Sequence, residues 1–477
     1  MRRLNFFHMI HQSRIRPLND RPVNASGGFV LYWMQQAHRV QSNPALSHAI
    51  DLANDLKLPV LVGFGLMDDY PEATERHYAF MLEGLADVAA RLKSLSIGFV
   101  VLHCPPKDAA VRLAKSASLV VVDRGYLRHL KQWREEVADT IHCALIEVET
   151  ETVVPVDVAC DKAQIGARTL RPRIHRNWQT YLVPCELPAV GRPMDRVPVD
   201  SDFDLTDIDA VLRKLKFIRD VKRSTVFKGG QTQALTRLES FVSGKLVGYA
   251  DGRNEPSGDH TSLLSPYLQY GHISPVDLAL RANSSDAPQP DRDSFVEELI
   301  VRRELAHNYC EFNPGYDSFD ALPNWAKISL AKHESDVREY VYDRQELEQS
   351  RTHDPYWNAA MKEAVLTGYM HNYMRMYWGK KILEWSKTPR EAYQTTLFLN
   401  NRFFLDGLNA NTYGNVAWIF GQHDRPWGER AVFGQIRYMN AAGLERKFYI
   451  DRYVEKIDAM ERRLTGSPDQ PAMGSLF

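Results

Sequence analysis

Cysteine is scarce and long apolar runs are missing from this 477-residue sequence. The five cysteines are widely spaced and include no C-x-x-C pair, which excludes a disulfide framework and a zinc site and predicts reduced thiols. No run reaches the roughly 18 apolar residues that indicate a transmembrane helix. The apolar run FFHMI near the start is too short for the core of a signal peptide. These absences predict a cytoplasmic protein that binds neither a membrane nor a metal.

An excess of one charge is missing as well. Lysine and arginine number 59, aspartate and glutamate 60, and the formal net charge is -1. A nucleic-acid partner must therefore be met by a local basic face and not by the field of the whole molecule. The composition is ordinary for a globular protein, and the length predicts two or three domains.

The first part of the chain alternates strand-like and helix-like segments. Four short apolar runs are typical of buried strands: GFVLYWM (28–34), LPVLVGFGL (58–66), SIGFVVLH (96–103) and SLVVVD (118–123). The alternation predicts a Rossmann-like parallel α/β domain over residues 1–185. A dinucleotide fingerprint is absent, because no third glycine follows Gly63 and Gly65 and no acidic residue follows at the expected spacing.

The composition changes after this part. Residues 186–208 are rich in proline and aspartate and have no periodicity, which is typical of an inter-domain linker. Strand signals nearly vanish beyond it, so residues 209–462 are expected to form an all-helical domain, followed by a flexible tail at 463–477. The predicted fold class is α/β plus all-α.

A first candidate for chemistry lies in DHTSLLSPYLQYGHIS (259–274). Ser265 before Pro266 indicates a helix start with a hydroxyl cap. Thr261 and Ser262 precede it, and a helix start can bind phosphate through its free N–H groups and its dipole. The segment predicts either a phosphate site or an ordinary well-capped helix.

Arg375 and Asp406 are a second candidate. A buried arginine–carboxylate pair is usually a structural tie. Together with the amide of Asn400, the pair also has the donors and acceptors that the polar edge of a flavin requires.

Five of the nine tryptophans fall between residues 357 and 427. Trp378 and Trp385 in RMYWGKKILEW are seven residues apart, almost two helical turns, so both indoles are expected on one face of a helix. Such a stripe is typical of a core. With Trp357, it also suits the transfer of an electron from solvent to a buried cofactor.

Trp418 and Trp427 lie near Arg430 and other basic residues. Exposed rings interleaved with cations are what a nucleic-acid surface uses for unstacked bases and phosphates. A solvated charged face is the alternative interpretation.

The helix predicted over FVEELIVRRELAHNYC (295–310) contains several acidic residues. Glu297, Glu298 and Glu304 either form surface i,i+4 ion pairs or include one buried carboxylate that bonds a substrate base. The sequence leaves open which of the three faces a substrate.

The order of these motifs resembles the photolyase/cryptochrome superfamily, and within it the class II cyclobutane pyrimidine dimer photolyases. The blocks RMYWGKKILEW and HDRPWGER are distinctive of that class, and VLYWMQQAHRVQSNPAL near the start is similar to it. The resemblance covers residues 14 to 460, nearly the whole chain.

The resemblance implies light-driven DNA repair, in which excited FADH- in the helical domain gives one electron to a dimer. Photolyases are a known case of base flipping, so the dimer is expected to leave the duplex stack. The implied FAD-binding residues are Tyr249, Thr261, Ser262, Leu263, Leu264, Ser265, Asn372, Arg375, Asn400, Asp406 and Gly407. Trp378, Trp357 and Trp385 match the photoreduction chain, and Asn400 matches the amide near the reactive edge of the flavin.

The resemblance also implies the residues that meet substrate or DNA: Arg253, Glu298, Arg302, Met376, Trp418, Trp427 and Arg430. Glu298 is expected to contact the damaged bases, and Arg253 to fill the gap left by the extruded lesion. One departure is Arg302, since other branches of the superfamily and some class II relatives carry a tryptophan beside the EELI segment. Arg302 would stack on the lesion or meet a phosphate instead.

The implied partner is double-stranded DNA containing pyrimidine dimers, bound by a monomer with no obligate protein partner. The protein is expected in the cytoplasm, at the nucleoid when bound to DNA. A second, light-harvesting chromophore of deazaflavin or folate type is expected in the α/β domain or at its boundary.

The alternatives are a cryptochrome-like signalling flavoprotein and a nucleotide-binding module without catalysis. Cryptochromes often add a long C-terminal extension, whereas about 15 residues follow the last predicted helix here. The missing glycine fingerprint disfavours the binding module.

Overall fold

A six-stranded sheet forms the first part of the computed structural model, which describes residues 10–465. The strands lie in the order β1-β6-β5-β2-β3-β4. Their bounds are Ile15–Pro17 (β1), Phe29–Trp33 (β2), Val60–Gly65 (β3), Gly98–Leu102 (β4), Ala117–Asp123 (β5) and Ala144–Val148 (β6). All neighbours pair in parallel except β1, which runs antiparallel to β6.

The four predicted strands are confirmed as β2 to β5, with bounds one to two residues shorter or longer. Strands β1 and β6 were missing from the prediction. β1 has three residues and ends at Pro17, which suits an edge strand but is too short to show a period. β6 reads ALIEV and is partly exposed, so it lacks the continuous apolar run of the central strands.

The loop after the carboxyl end of β2, where a dinucleotide fold binds phosphate, is occupied by a side chain of this protein. The fully buried carboxylate of Asp123 accepts the backbone N–H groups of Gln35, Gln36 and Ala37 at 2.9–3.1 Å. It also accepts the Tyr32 hydroxyl at 2.7 Å. Dinucleotide folds use such a group of N–H donors for phosphate. Here a side chain of the protein already occupies them.

Six α-helices accompany the sheet: Pro44–Leu56 (α1), Glu75–Ser94 (α2), Pro106–Ala114 (α3), Arg128–Thr140 (α4), Val156–Ala159 (α5) and Ala167–Tyr181 (α6). The predicted helical periodicity between the strands is confirmed by α1 and α2. Asn43 caps α1 by accepting the N–H groups of Ala45 and Leu46.

From Ile208 to Thr465 the structure contains helices and no strand. The α-helices are Ile208–Lys214 (α7), Gln231–Ser240 (α8), Tyr249–Gly252 (α9), Ser265–Gln269 (α10), Pro275–Asn283 (α11), Gln289–Val296 (α12), Arg303–Phe312 (α13), Asn324–Lys332 (α14), Arg344–Glu348 (α15), Pro355–Thr367 (α16), Asn372–Trp385 (α17), Pro389–Phe403 (α18), Ala410–Ile419 (α19), Ala441–Lys447 (α20) and Ile450–Thr465 (α21). π-helical turns occupy Phe241–Lys245 and Glu297–Arg302. Short 3-10 turns occupy Gln12–Arg14 and Phe319–Ala321.

The segment predicted as a linker, 186–208, has no regular structure before Ile208 and is bonded to the sheet part. Met194 N–H donates to Ser96 O at 2.8 Å, and Asp202 N–H donates to Val101 O at 2.9 Å. The domain boundaries remain a prediction, and the expected flexible tail lies largely outside the described residues.

Buried arginines join the two parts. The Arg76 guanidinium donates to the carbonyls of Ala364 and Phe403 at 2.8 and 2.7 Å, and Arg39 donates to Gly271 O at 2.9 Å. Within residues 10–465, no helix is long and apolar enough to cross a membrane, and no group of three or more potential ligands could hold a metal. The five cysteines are free thiols.

Candidate functional site

The main candidate site is a cavity of about 700 Å³ in the helical part. This volume is within the range of known small-molecule and cofactor sites. The cavity brings together these predicted residues: Tyr249, Arg253, Thr261, Ser262, Leu263, Leu264, Ser265, Glu298, Arg302, Asn372, Arg375, Met376, Trp378, Asn400, Asp406 and Trp418. One cavity therefore contains both the residues expected to hold a cofactor and those expected to meet a substrate.

Five predicted residues do not line it. Gly407 lies in the turn after Asp406, where an added Cβ would come within 2.9 Å of Phe404 O. Trp357 and Trp385 lie behind the wall, while Trp427 and Arg430 lie on the surface. The individual roles remain predictions.

The Ser/Thr-rich segment has an unusual backbone. Leu263 has a φ of 54°, in the left-handed region that a leucine rarely adopts, and such strain is frequent at ligand sites. The predicted helix start is confirmed at Ser265, but the predicted hydroxyl cap is wrong. Leu264 occupies the cap position without a side-chain bond, because the helix includes Ser265 itself. The Ser265 side chain therefore lines the cavity without capping the helix.

Arg375 and Asp406 form the expected pair, with the two nitrogen–oxygen contacts both at 2.9 Å. Arg375 Nε donates to Met370 O at 3.0 Å, and its guanidinium lies 4.3 Å from the Phe404 ring centroid. Nearby, Asn400 Nδ2 donates to Thr412 Oγ1 at 3.1 Å. The wall thus presents a fixed cation, a fixed anion and an amide, a set that suits a heterocycle with several polar atoms.

Three buried indoles form a row that begins at the cavity wall. Trp378 lines the cavity, and Trp357 Nε1 donates to Trp378 O at 3.0 Å. The Trp357 and Trp385 ring centroids are 5.7 Å apart at an interplanar angle of 65°. Trp357 comes from α16, so the row is built from two helices and not from one helical stripe.

The row continues into rings that the sequence analysis missed. Trp385 lies 5.3 Å from both Tyr342 and His353, measured between ring centroids. His353 stacks at 3.7 Å on Tyr340, which is exposed. A hydrogen bond from Trp357 to the Trp378 backbone, followed by ring contacts from Trp357 outward, therefore leads from the cavity wall to solvent. Tyr342 lies in a segment without regular structure, where the sequence offers no periodicity to place it.

The indole nitrogen of Trp378 is buried and has no hydrogen-bond partner among residues 10–465. An unpaired buried donor costs about 1–3 kcal/mol, so such a group usually has a reason. Since Trp378 lines the cavity, a bound group with an acceptor atom would be such a reason.

Of the three candidate carboxylates, Glu298 lines the cavity. It pairs with Arg253, whose Nη1 lies 3.0 Å from Glu298 Oε1. Glu298, expected to contact the damaged bases, and Arg253, expected to fill the gap in the duplex, therefore form an ion pair with each other. Both side chains remain partly exposed at the cavity. A substrate that enters must compete with this ion pair or accommodate it.

The other two carboxylates have structural partners. Glu297 pairs with Arg171 at 2.7 Å and with Arg302 at 3.3 Å. Glu304 accepts the N–H of Val153 at 2.5 Å, and burial raises the pKa of this carboxyl to about 8. Arg302 lines the cavity with its guanidinium half exposed.

The surroundings of Trp418 include two cations that were not predicted as site residues. Lys380 is fully buried; its Nζ donates to Ile419 O and lies 5.4 Å from the Trp418 ring centroid. Burial lowers the pKa of this amine to about 7. Arg437 lies 5.7 Å from Trp418 and 5.2 Å from Trp427, which places it between the two indoles.

The basic surface segment is ordered around Trp427, which is 40% exposed. Arg425 lies 5.5 Å from the Trp427 ring centroid. Arg430 is exposed, and its guanidinium lies 4.9 Å from the Tyr438 ring centroid. Rings and cations therefore alternate at the surface, as nucleic-acid interfaces require.

Sequence analysis also missed the contribution of the α/β part to the cavity. Gln36, Tyr126 and Glu151 line it, together with asparagines at 409, 411 and 415. The asparagines belong to the segment LNANTYGNV (408–416), whose richness in amides is a composition signal in the sequence. The three α/β residues could not be located, since only the packing of the two parts brings them there.

A second cavity, about 90 Å³, lies at the carboxyl ends of β2 and β3. Its wall includes Trp133, Tyr70, Tyr270 and several methionines. Both polar atoms of the buried Gln35 amide, and His38 Nδ1, have no partner in the described part of the chain. Burial lowers the pKa of His38 to about 4, so its ring is neutral. Gln36 and Gln269 line both cavities and therefore separate them.

Comparison with known proteins gives consistent matches. The family model described as DNA photolyase matches residues 30–191. Deoxyribodipyrimidine photo-lyase of Methanothermobacter thermautotrophicus is 45% identical over 450 residues, covering 94% of this chain and 99% of the relative. The enzyme of the same name from Potorous tridactylus is 39% identical over 435 residues, covering 90% and 81%. A bacterial class III photolyase structure from Agrobacterium tumefaciens has a TM-score of 0.69 at 19% identity, covering 92% and 86%.

Proposed function

The chain belongs to the photolyase/cryptochrome superfamily, and from this premise we propose that it is a DNA photolyase that repairs cyclobutane pyrimidine dimers with light, of class II. One observation carries the proposal: a single cavity of about 700 Å³ contains both the Arg375–Asp406 pair and the substrate-type side chains of Glu298, Met376 and Trp418. Two relatives that are 39–45% identical over most of the chain are named deoxyribodipyrimidine photo-lyase, which supports the proposed repair activity.

FAD fits the residues of the large cavity. The hydroxyls and backbone N–H groups of residues 261–265 would hold the phosphates. Arg375, Asp406 and Asn400 would bond the polar edge of the ring system. The free Trp378 indole N–H supports the presence of a group with acceptor atoms in this cavity.

When bound in its reduced form and excited by light, FAD would supply the one-electron chemistry that opens the cyclobutane ring and would recover the electron afterwards. The protein's task is to position both groups and to exclude water. The Arg375–Asp406 pair would fix the orientation of the ring system, because each of its nitrogen–oxygen contacts is short and the carboxylate is nearly buried. The indole row from Trp378 to Trp385 would restore the reduced state by passing electrons inward.

The dimer would enter the same cavity after flipping from the duplex. Trp418 would stack on it, with the buried Lys380 amine and the positive charge of Arg437 nearby. Glu298 would bond a base edge once Arg253 turns toward the DNA. Arg302, held by Glu297, would meet the lesion or a flanking phosphate. The basic surface around Trp427 and Arg430 would bind the backbone.

A light-harvesting chromophore is proposed for the second cavity. The Gln35 amide, which has no partner in the described part of the chain, could offer the chromophore one hydrogen-bond donor and one acceptor, and His38 Nδ1 one further polar atom. Aromatic side chains form part of the surrounding wall. At about 90 Å³ the cavity is smaller than typical ligand sites, so side chains such as Met67 or Met81 must move.

The absorption spectrum of the purified protein, followed by flavin release on denaturation, tests the cofactor. A protein that is colourless and takes up no added FAD would overturn the proposal. Signalling is separated from repair by loss of dimers from irradiated DNA under blue light. Binding of flavin without such loss would assign the chain to the signalling branch.

A further inference from the structure

Helix α6 is strongly basic, and the proposed cofactor and substrate sites do not account for its charge. Its 15 residues, ARTLRPRIHRNWQTY, contain four arginines and no acidic residue, in a chain whose formal net charge is -1. Its buried side chains are Ala167, Leu170, Ile174 and Tyr181. The cations therefore concentrate on the outer side of the helix, a local basic face of the kind that a neutral chain needs to meet a polyanion.

Two of these arginines are available for a partner. Arg168 and Arg176 are exposed, and neither has a hydrogen-bond or ion-pair partner within residues 10–465. They are eight residues apart, which places them about 80° from each other around the helix and about 12 Å apart along it. Arg171, by contrast, is held by Glu297 at 2.7 Å.

The start of α6 lies at the rim of the large cavity. Ala167 lines the cavity, and His423 Nδ1 donates to Ile165 O at 2.9 Å. The Arg171–Glu297 pair ties the first turns of the helix to Arg302, which also lines the cavity. His423 is followed directly by the basic segment of Arg425 to Arg437, so the two basic surfaces adjoin at this rim.

We propose that the outer face of α6 is a second binding surface for the DNA backbone, with Arg168 and Arg176 each contacting a phosphate. Phosphate oxygens suit this face because it offers two free guanidinium groups and no competing carboxylate on the same helix. This surface would hold the duplex on the α/β side of the cavity mouth. The basic segment from Arg425 to Arg437 would hold it on the side of the helical part. The inference rests on the proposed function in taking DNA as the partner.

The test is equilibrium binding of the double variant Arg168→Ala/Arg176→Ala to an undamaged duplex at several salt concentrations. Each lost phosphate contact reduces the slope of log K against log [salt] by about 0.9, so the expected reduction is about 1.8. The duplex that contains one dimer should show the same reduction. The conservative variant Arg168→Lys/Arg176→Lys should retain the wild-type slope.

Arg112 and Lys115 provide the matched control, because both are exposed cations on or after α3 and line neither cavity. Their double alanine variant should bind as wild type. A slope unchanged in Arg168→Ala/Arg176→Ala would overturn the inference and leave the proposed function intact. Loss of binding to phosphatidylserine vesicles, with DNA binding unchanged, would overturn it too and indicate a membrane surface. No duplex binding by the wild-type protein would refute the proposed function itself.

Discussion

Replacing Trp378 with phenylalanine should stop the photoreduction of oxidised flavin while repair by chemically reduced protein continues. Trp378 is the member of the indole row that lines the cavity, and Trp357 and Trp385 follow it at contact distances. Phenylalanine keeps a ring at this position but is much harder to oxidise. Removal of the first indole therefore interrupts the row without emptying the wall of the cavity.

The structure predicts a small stability cost for this change. The Trp378 indole N–H has no partner among the described residues, so no protein hydrogen bond is lost, and the cost is the removed apolar contact, about 1–2 kcal/mol. Trp357→Phe should also stop photoreduction, but it loses the bond from Nε1 to Trp378 O as well. That bond adds about 0.5–1.5 kcal/mol to the cost.

The assay follows flavin absorbance under blue light with an external reductant, beside urea unfolding of each variant. Trp33→Phe is the matched control, since Trp33 is equally buried, has an unpaired indole nitrogen and lies in β2 away from the row. It should photoreduce as wild type. Photoreduction at the normal rate in Trp378→Phe would refute the row as the electron path.

Three further outcomes are expected. Arg430→Ala should weaken binding to damaged and undamaged duplexes alike and lower the salt slope by about 0.9, measured by titration at several salt concentrations; an unchanged slope would place Arg430 outside the interface. Trp418→Ala should cost about 1–3 kcal/mol of affinity for dimer-containing DNA, with normal flavin content; equal affinity would exclude stacking. Burial raises the pKa of Glu304 to about 8, so between pH 4.5 and 8 the folded protein keeps a proton that the unfolded chain has lost, and stability falls as pH rises. Glu304→Gln should remove this slope, at most about 1.4 kcal/mol per pH unit in urea unfolding; identical slopes would contradict the assignment.

Local sequence patterns predicted those helices and strands whose capping residues and apolar spacing lie within one continuous segment. Helix α1 matches its predicted periodic stretch because Asn43, Pro44 and the apolar spacing all indicate the same start. Strand β6 was missed because two of its five residues are partly exposed at the sheet. The Ser265 cap was wrong for a different reason: the helix includes Ser265 itself, and Leu264, next to the left-handed Leu263, occupies the cap position.

Site residues that belong to a sequence motif could be predicted. Site contacts that arise only from the packing of distant segments could not. The Arg375–Asp406 pair joins residues 31 positions apart, and the resemblance placed it. Helical spacing left Glu297, Glu298 and Glu304 as alternatives, and only the resemblance favoured Glu298. The three differ in the partner that the fold brings to each: Arg171, Arg253 and the Val153 N–H. Such contacts join distant segments, so no local pattern reports them.

The central claim is that this cavity holds a reduced flavin that repairs dimers with light. It is tested most directly by mixing the chemically reduced, FAD-loaded protein with an oligonucleotide containing one cyclobutane dimer and counting dimers before and after blue light. The account predicts loss of the dimer in the light, none in the dark, and retention of the dimer when FAD is removed. Persistence of the dimer in the light, with flavin bound and DNA bound, would contradict it.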